Sequence, residues 1–215
     1  MNLSRENFSV EIESEEFGTH ILEYIDSDHL YLVDGMVVQS VTQAVDFHFN
    51  DTYKFVDEAV LKKAAAHGTA VHKAVEDYCD FRIESELPEL QDFKKLQEKH
   101  GFIPEQSEVP IIIFNPDTKE PILAGRFDLM IRMNDELGGA DIKSQRRVKK
   151  DKLEYQLNLY RIGYKQCYND DWKFLKGIQL KTTEKFHVAR MIDVPIDEEM
   201  TWNRLNLYLE AKHNG

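Results

Sequence analysis

The chain has 215 residues, of which 27 are Lys or Arg and 39 are Asp or Glu, for a net charge of −12, with 42% hydrophobic and 11% aromatic residues. That length supports one sizeable core, so a single domain over 1–215 is expected, and so acidic a surface excludes sequence-independent nucleic-acid binding over the whole molecule. No stretch approaches the roughly 18 apolar residues of a membrane span, and the opening MNLSRENFSVEIESEEF has no apolar signal segment, so no membrane partner and a cytoplasmic location are expected.

In chain order, Leu30–Leu32 and Met36–Val38 flank Val-Asp-Gly and predict a tight hairpin, glycine supplying the positive φ of the turn. Ser40 with Gln43 three residues on forms a capping-box pattern that opens a helix. Residues 54–66 read as a second helix ending at His67-Gly68. Thr69 caps a third, TAVHKAVEDYCDFRI, in which His72 and Glu76 lie four apart on one face. A shorter helix follows Pro88 over about 89–99. Glu108 then begins a β-rich run through Phe114 that the turn Asn-Pro-Asp-Thr closes.

GRFDLMIRMNDELGGADIKS, residues 125–144, supplies two strands. Leu129, Ile131 and Met133 alternate in the first, Ile142 marks the second, and Asn-Asp-Glu-Leu-Gly-Gly is read as the turn between them. A helix from Asp151 carries Gln156 and Tyr160 four apart, strand-like runs cover Leu175–Lys181 and Phe186–Val194, and a last helix starts near Asp197. Helices, strands, a helix, strands and a helix, without an internal repeat or linker, point to an α/β (α+β) fold.

The charges in the central hairpin define the candidate chemistry. Asp141 and Lys143, two apart on a strand, project from one face with about 6.5–7 Å between them along the chain. If the two strands pair, Asp128 arrives beside Asp141. Two adjacent carboxylates repel unless a cation lies between them, and a hard divalent ion, Mg²⁺ or Mn²⁺, takes carboxylate and carbonyl oxygens. Lys143 would then stand near a scissile phosphate. Asp-x-Lys alone is weak, since it also occurs at Asp92, Asp117 and Asp171. Only the copy at Asp141 follows a glycine-containing hairpin and precedes both a basic run and a helix with Gln and Tyr on one face. That run, 143–152, has six basic residues in ten. Arg146, Arg147, Lys149 and Lys150 are its candidate DNA contacts, and a solvated loop leading into a helix is the alternative.

Gly-Thr-Ala-Val-His (68–72), Gly-Arg-Phe-Asp (125–128), Asp-Ile-Lys (141–143) and Gln-Leu-Asn-Leu-Tyr (156–160), in that order and spacing, resemble the motifs of RecB-like nucleases of the PD-(D/E)XK superfamily, phage-encoded members above all. The resemblance covers about residues 30–165, including Gln-Ser-Val-Thr (39–42), and leaves the last fifty residues without a matching motif. It implies a restriction-endonuclease-like core, a central mixed sheet flanked by helices, preceded by a hairpin and a helical region. The implied activity is two-metal hydrolysis of DNA phosphodiesters, most simply as an exonuclease on linear DNA in phage recombination or replication. A single-strand annealing protein is the implied partner and the host bacterial cytoplasm the implied location.

Carried over residue by residue, Asp128 and Asp141 would be the metal-bridging carboxylates, the carbonyl of Ile142 a further ligand and Lys143 the catalytic lysine. His72 would approach the metal from its helix, Gln156 and Tyr160 would support the site or touch a phosphate, and Glu108 would be an extra acidic ligand. Phe127 stands where the superfamily's name has proline, and Ser144 where relatives often have threonine. Relatives with an iron–sulfur cluster use four cysteines, and this chain has two, Cys79 and Cys167, so no cluster is expected.

Each residue also has a plainer reading. His72 could simply pair with Glu76, and Gln156 and Tyr160 could be the polar edge of an amphipathic helix. Imidazole favours Mn²⁺ over Mg²⁺. Asp128 has the least room for a bland role, because a carboxylate buried in an apolar strand needs a cationic partner. No P-loop, dinucleotide fingerprint, His-Glu-x-x-His or Gly-x-Ser-x-Gly motif is present. The alternative function is a nuclease-fold module that binds DNA or protein without turnover.

Overall fold

The computed structural model describes residues 7–49 and 57–213. Phe8, Val10 and Ile12 alternate with polar residues in β1 (Phe8–Ser14), which pairs antiparallel with β2 (Gly18–Ile25). Neither strand is expected from the sequence: in β1 the outward Glu11 and Glu13 obscure the period of two, and in β2 the exposed Ile21 beside Leu22 breaks it. The expected hairpin follows as β3 (Leu30–Val33) and β4 (Met36–Ser40). Its turn residues, Asp34 and Gly35, both have positive φ, 52° and 78°. The capping box at Ser40 is present: Gln43 N–H donates to Ser40 Oγ at 3.1 Å and Ser40 N–H to Gln43 Oε1 at 2.8 Å, opening α1 (Val41–His48).

The two helices expected over 54–66 and 69–83 are one, α2 (Glu58–Phe81), with residues 54–56 lying outside the described residues. Gly68 does not break it. A Cβ there would meet Ser144 Oγ at 3.0 Å, so this glycine lets the helix run close to the end of a strand. α3 (Pro88–His100) has Pro near its start and Gly101 at its left-handed end, the expected asymmetry of helix termini.

Three long strands form the centre: β5 (Ile103–Phe114), β6 (Pro121–Met133) and β7 (Glu136–Lys143). β6 and β7 turn through Asn134 and Asp135, both with positive φ, while Gly138 and Gly139 lie within β7. Those glycines, expected in the turn, instead make room for large rings: a Cβ at 138 would fall 2.3 Å from Phe174 and one at 139 only 2.1 Å from Trp172. α4 (Lys150–Tyr168), β8 (Phe174–Thr183), β9 (Phe186–Val194) and α5 (Glu198–His213) complete the chain.

Among the described residues the nine strands make one mixed sheet, ordered β1-β2-β3-β4-β6-β7-β8-β9, with β5 on the other edge of β6. β4–β6 and β7–β8 are parallel and the other pairs antiparallel. The fold is thus α+β, a large mixed sheet with five helices packed on it. Helices α1, α4 and α5 bury Val45, Leu157 and Leu205 in one apolar cluster, and α2 and α3 bury Val75 and Phe93 in the other. No helix is long and apolar enough to cross a membrane.

The site is positioned by a fork. β4 pairs with β6 at Leu123 and Ala124, and β7 pairs with the same edge only from Leu129 onward. Between them the edge of Gly125–Asp128 has no partner strand. The strand also changes face here: Phe127 packs against Trp172 and Tyr164 beside α4, whereas Leu129 joins the cluster of α2 and α3. Both helical layers therefore approach this strand end, His72 of α2 reaching Asp128 and Gln156 of α4 reaching Lys143.

Candidate functional site

One step past the last β6–β7 pair, Leu129 with Ala140, come Asp128 and Asp141. The ladder stops because the Asp128 carboxylate replaces a backbone carbonyl, its Oδ2 accepting the Ile142 N–H at 2.7 Å. On the other edge, Glu108 falls between the pairs Ser107–Leu129 and Val109–Phe127, abreast of Asp128. Glu108, Asp128 and Asp141 thus form a row across three strands. From α2, His72 brings Nδ1 to 3.4 Å from Asp128 Oδ1. Ligand atoms of His72, Glu108 and Asp128 all lie within 4.8 Å of one another.

Asp141, 2% exposed, has its Oδ2 2.7 Å from Lys143 Nζ, and Lys143 donates to Gln156 Oε1 at 2.9 Å. The periodicity of α4 that places Leu153 and Leu157 in the core turns Gln156 toward this strand end. Tyr160, one turn on, is 5% exposed and hydrogen-bonded to Gln156. Its ring lies where a Cβ on Gly125 would approach to 3.1 Å, so the glycine of Gly-Arg-Phe-Asp lets Tyr160 close over the strand. Tyr160 supports the site from inside the core rather than from its surface.

The electrostatics describe a cluster of opposing charges. Burial alone would push Asp128 up, but His72, then Lys143 and the Ile142 N–H, hold it well below the usual carboxylate range. Burial pushes Asp141 above that range, Lys143 opposing the rise and Asp128 adding to it. For His72, burial disfavours the charged ring, yet Asp128 and Asp141 outweigh it and raise its pKa. His72, Glu108 and Asp128, without Asp141, are the donors close enough together to share one cation. Such an ion would relieve the repulsion within the acidic row and displace the His72 proton, with hard oxygens predominating and one imidazole favouring Mn²⁺. Glu108 adds an unusual backbone, φ 48°. A left-handed non-glycine residue inside a strand costs on the order of 1–3 kcal/mol and clusters where function constrains the chain.

Glu76 contacts Lys73 at 3.1 Å while His72 turns to Asp128. Gln156 accepts from Lys143 and Tyr160 is buried in the core, so neither lies on a solvent edge. The remaining Asp-x-Lys aspartates are used elsewhere: Asp92 lies 2.7 Å from His187 Nε2, Asp171 2.5 Å from Arg161 Nη2, and Asp117 sits in an exposed turn.

The basic run leaves β7 as a loop beside the site. Arg146, Arg147, Lys149 and Lys150 are all exposed; the Arg146 guanidinium lies 5.0 Å from the Phe186 ring centre, and Lys149 and Lys150 begin α4. Two residues that sequence reasoning missed hold this region. Gln179, 1% exposed, donates Nε2 to the carbonyls of Gln145 and Arg146 at 2.7 and 3.2 Å and accepts from Arg190 Nε at 2.9 Å. A lone amide in an apolar strand, Ile-Gln-Leu, was its only signal. Arg126 places Nε 2.6 Å from Glu108 Oε2, a pairing across strands that sequence spacing does not reveal. Beyond Glu108 opens a groove of ≈ 480 Å³ lined by Cys79, Asp80, Glu105 and Tyr168 among others. Its acidic lining contrasts with the basic loop.

No family model matches the chain, and no curated protein matches it. Among solved structures it is similar to one described as the crystal structure of SSO0001, at 16% identity and a TM-score of 0.37, over 81% of this chain and 84% of that one.

Proposed function

We propose that the protein is a divalent-metal-dependent DNA nuclease of the RecB-like PD-(D/E)XK type. The observation that carries this reading is the row of Glu108, Asp128 and Asp141 across three strands, with the Lys143 ammonium 2.7 Å from Asp141. Asp128, Asp141, Glu108, His72 and the carbonyl of Ile142 would hold one or two Mg²⁺ or Mn²⁺ ions. When bound, such ions supply positive charge to a phosphate and lower the pKa of a water.

The chain's own residues do the rest. Lys143, fixed by Asp141 and Gln156, offers its ammonium to the negative charge that develops on the phosphate. Gln156 holds that amine at one angle, and Tyr160 closes the floor against water from the core side. Arg146, Arg147, Lys149 and Lys150 are placed to take the flanking phosphates, so DNA is gripped locally despite the overall charge of −12. The resemblance in sequence extends the proposal to exonuclease action on linear DNA in a bacterial cytoplasm, beside a single-strand annealing protein.

The test incubates linear DNA with the protein and Mg²⁺ or Mn²⁺, against a chelator and against Asp141→Ala. Wild type shortens the DNA, and both controls leave it intact. Equal degradation by wild type and variant overturns the assignment, and binding without any cleavage points to the module without turnover.

A further inference from the structure

We propose that Arg126 is a positioning residue for the metal ligand Glu108, and that the β1–β2 hairpin serves the cation site through it. The inference rests on the reading that Glu108, with His72, Asp128 and Asp141, holds a divalent ion.

The strand register sets Glu108 abreast of Asp128, and its backbone there lies in the left-handed region at φ 48°, a conformation that a non-glycine residue keeps only where its surroundings hold it. Arg126 supplies the hold. Its Nε lies 2.6 Å from Glu108 Oε2, and both side chains are only 14% exposed. The two atoms are not aligned as a hydrogen bond, so the contact is one of charge, and its partial burial weakens screening by salt.

The guanidinium is fixed in turn. Its centre lies 5.2 Å from the Phe8 ring and 5.9 Å from the Tyr24 ring. Those rings are partners across the β1–β2 register and stack at 5.9 Å. An arginine is suited to this place, since its planar cation packs on aromatic faces while its edge meets a carboxylate. The hairpin, far from the motifs in sequence, thus reaches the acidic row in two steps: rings to guanidinium, guanidinium to Glu108.

A cation beside a cation site has two effects of opposite sign. Repulsion weakens metal binding, and placement of the ligand strengthens it. Placement is the larger here, because Glu108 neutralises Arg126 in the pair, whereas a released Glu108 leaves the row. Partners of metal ligands are typically worth about 10–100-fold in metal affinity.

The experiment is a calorimetric titration of the purified full chain with Mn²⁺, without DNA, after removal of metal by chelation. Arg126→Gln is expected to weaken Mn²⁺ binding by about tenfold, Arg126→Lys by less, and Phe8→Leu in the same direction. In the Glu108→Gln background, adding Arg126→Gln should weaken binding no further, because a residue that acts through another has no placement effect once that one is gone and only relief of the Arg126 repulsion remains. A merely structural arginine would add its effect in both backgrounds. Unchanged or tighter binding by Arg126→Gln overturns the proposal, as do additive effects in the double variant, and unchanged binding by Phe8→Leu overturns the part given to the hairpin. Wild type that binds no Mn²⁺ overturns the underlying site reading, a result distinct from all of these. Should Arg126→Gln fail to fold, Arg126→Lys and Phe8→Leu carry the test.

Discussion

Glu108 and the glycines of β7 show how single residues set this architecture. A glutamate at φ 48° is retained where its carboxylate completes a row, and glycines are retained where rings need their space. Gly139 is the sharper case, because an added methyl would sit 2.1 Å from the Trp172 ring, itself packed against Phe127 and Tyr164. Gly139→Ala is therefore expected to lower stability by at least about 1–3 kcal/mol, read as a lower urea midpoint with an unchanged slope. A midpoint equal to wild type would contradict this packing. At this scale the sequence was readable where chemistry needs residue types at fixed spacing: Asp128, Asp141, Lys143 and Gln156 meet as the strand and helix periods require. It was unreadable where tertiary packing decides. Gly138-Gly139 looks like a turn until Phe174 and Trp172 are in place, and nothing local foretells a left-handed Glu108 or its pairing with Arg126.

Among the elements, the β3–β4 hairpin carries a titrating clasp. Asp34 Oδ1 accepts the Ile21 N–H at 2.8 Å, and its Oδ2 lies 2.7 Å from His20 Nδ1. The Ile21 hydrogen bond, assisted by His20 and opposed by slight burial, lowers the Asp34 pKa. A carboxyl whose folded pKa is depressed contributes stability that is fully present above its unfolded value, near 3.9, and is lost as pH falls through the folded one. Asp34 is 43% exposed, so solvent screening limits the effect to under about 1 kcal/mol. Thermal melts from pH 7 to pH 3 are expected to show Asp34→Asn losing less stability below about pH 4 than wild type; parallel curves would remove the clasp. Element types and order were largely legible because hairpin turns, the Ser40 cap and the apolar periods are local signals. β1 was missed because Glu11 and Glu13 fill its outer positions, and β2 because the exposed Ile21 next to Leu22 hides its alternation. The length of α2 was missed because Gly68, a reasonable helix stop in isolation, is excused by its approach to Ser144.

For the molecule as a whole, the question is how a chain of net charge −12 would meet the polyanion proposed as its substrate. The loop from β7 into α4 would do so by concentrating exposed cations next to the end of β7, with Gln179 tethering the loop backbone. Replacing Arg146, Arg147, Lys149 and Lys150 by Gln is expected to weaken duplex binding, measured without divalent ions so that cleavage does not intervene. It should also flatten the dependence of log K on log salt by about 0.9 for each phosphate that is no longer neutralised, while Mn²⁺ affinity stays as in wild type. An unchanged slope would place the DNA elsewhere.

The fork at β6 joins chemistry to construction at one atom. Because Asp128 Oδ2 closes the final rung between two strands, an alanine at that position deletes a scaffold peg together with the proposed ligand, and a loss of the proposed cleavage would report both at once. Asparagine preserves an oxygen able to receive the Ile142 amide while removing the negative charge. Only that replacement separates an idle centre from a loosened frame.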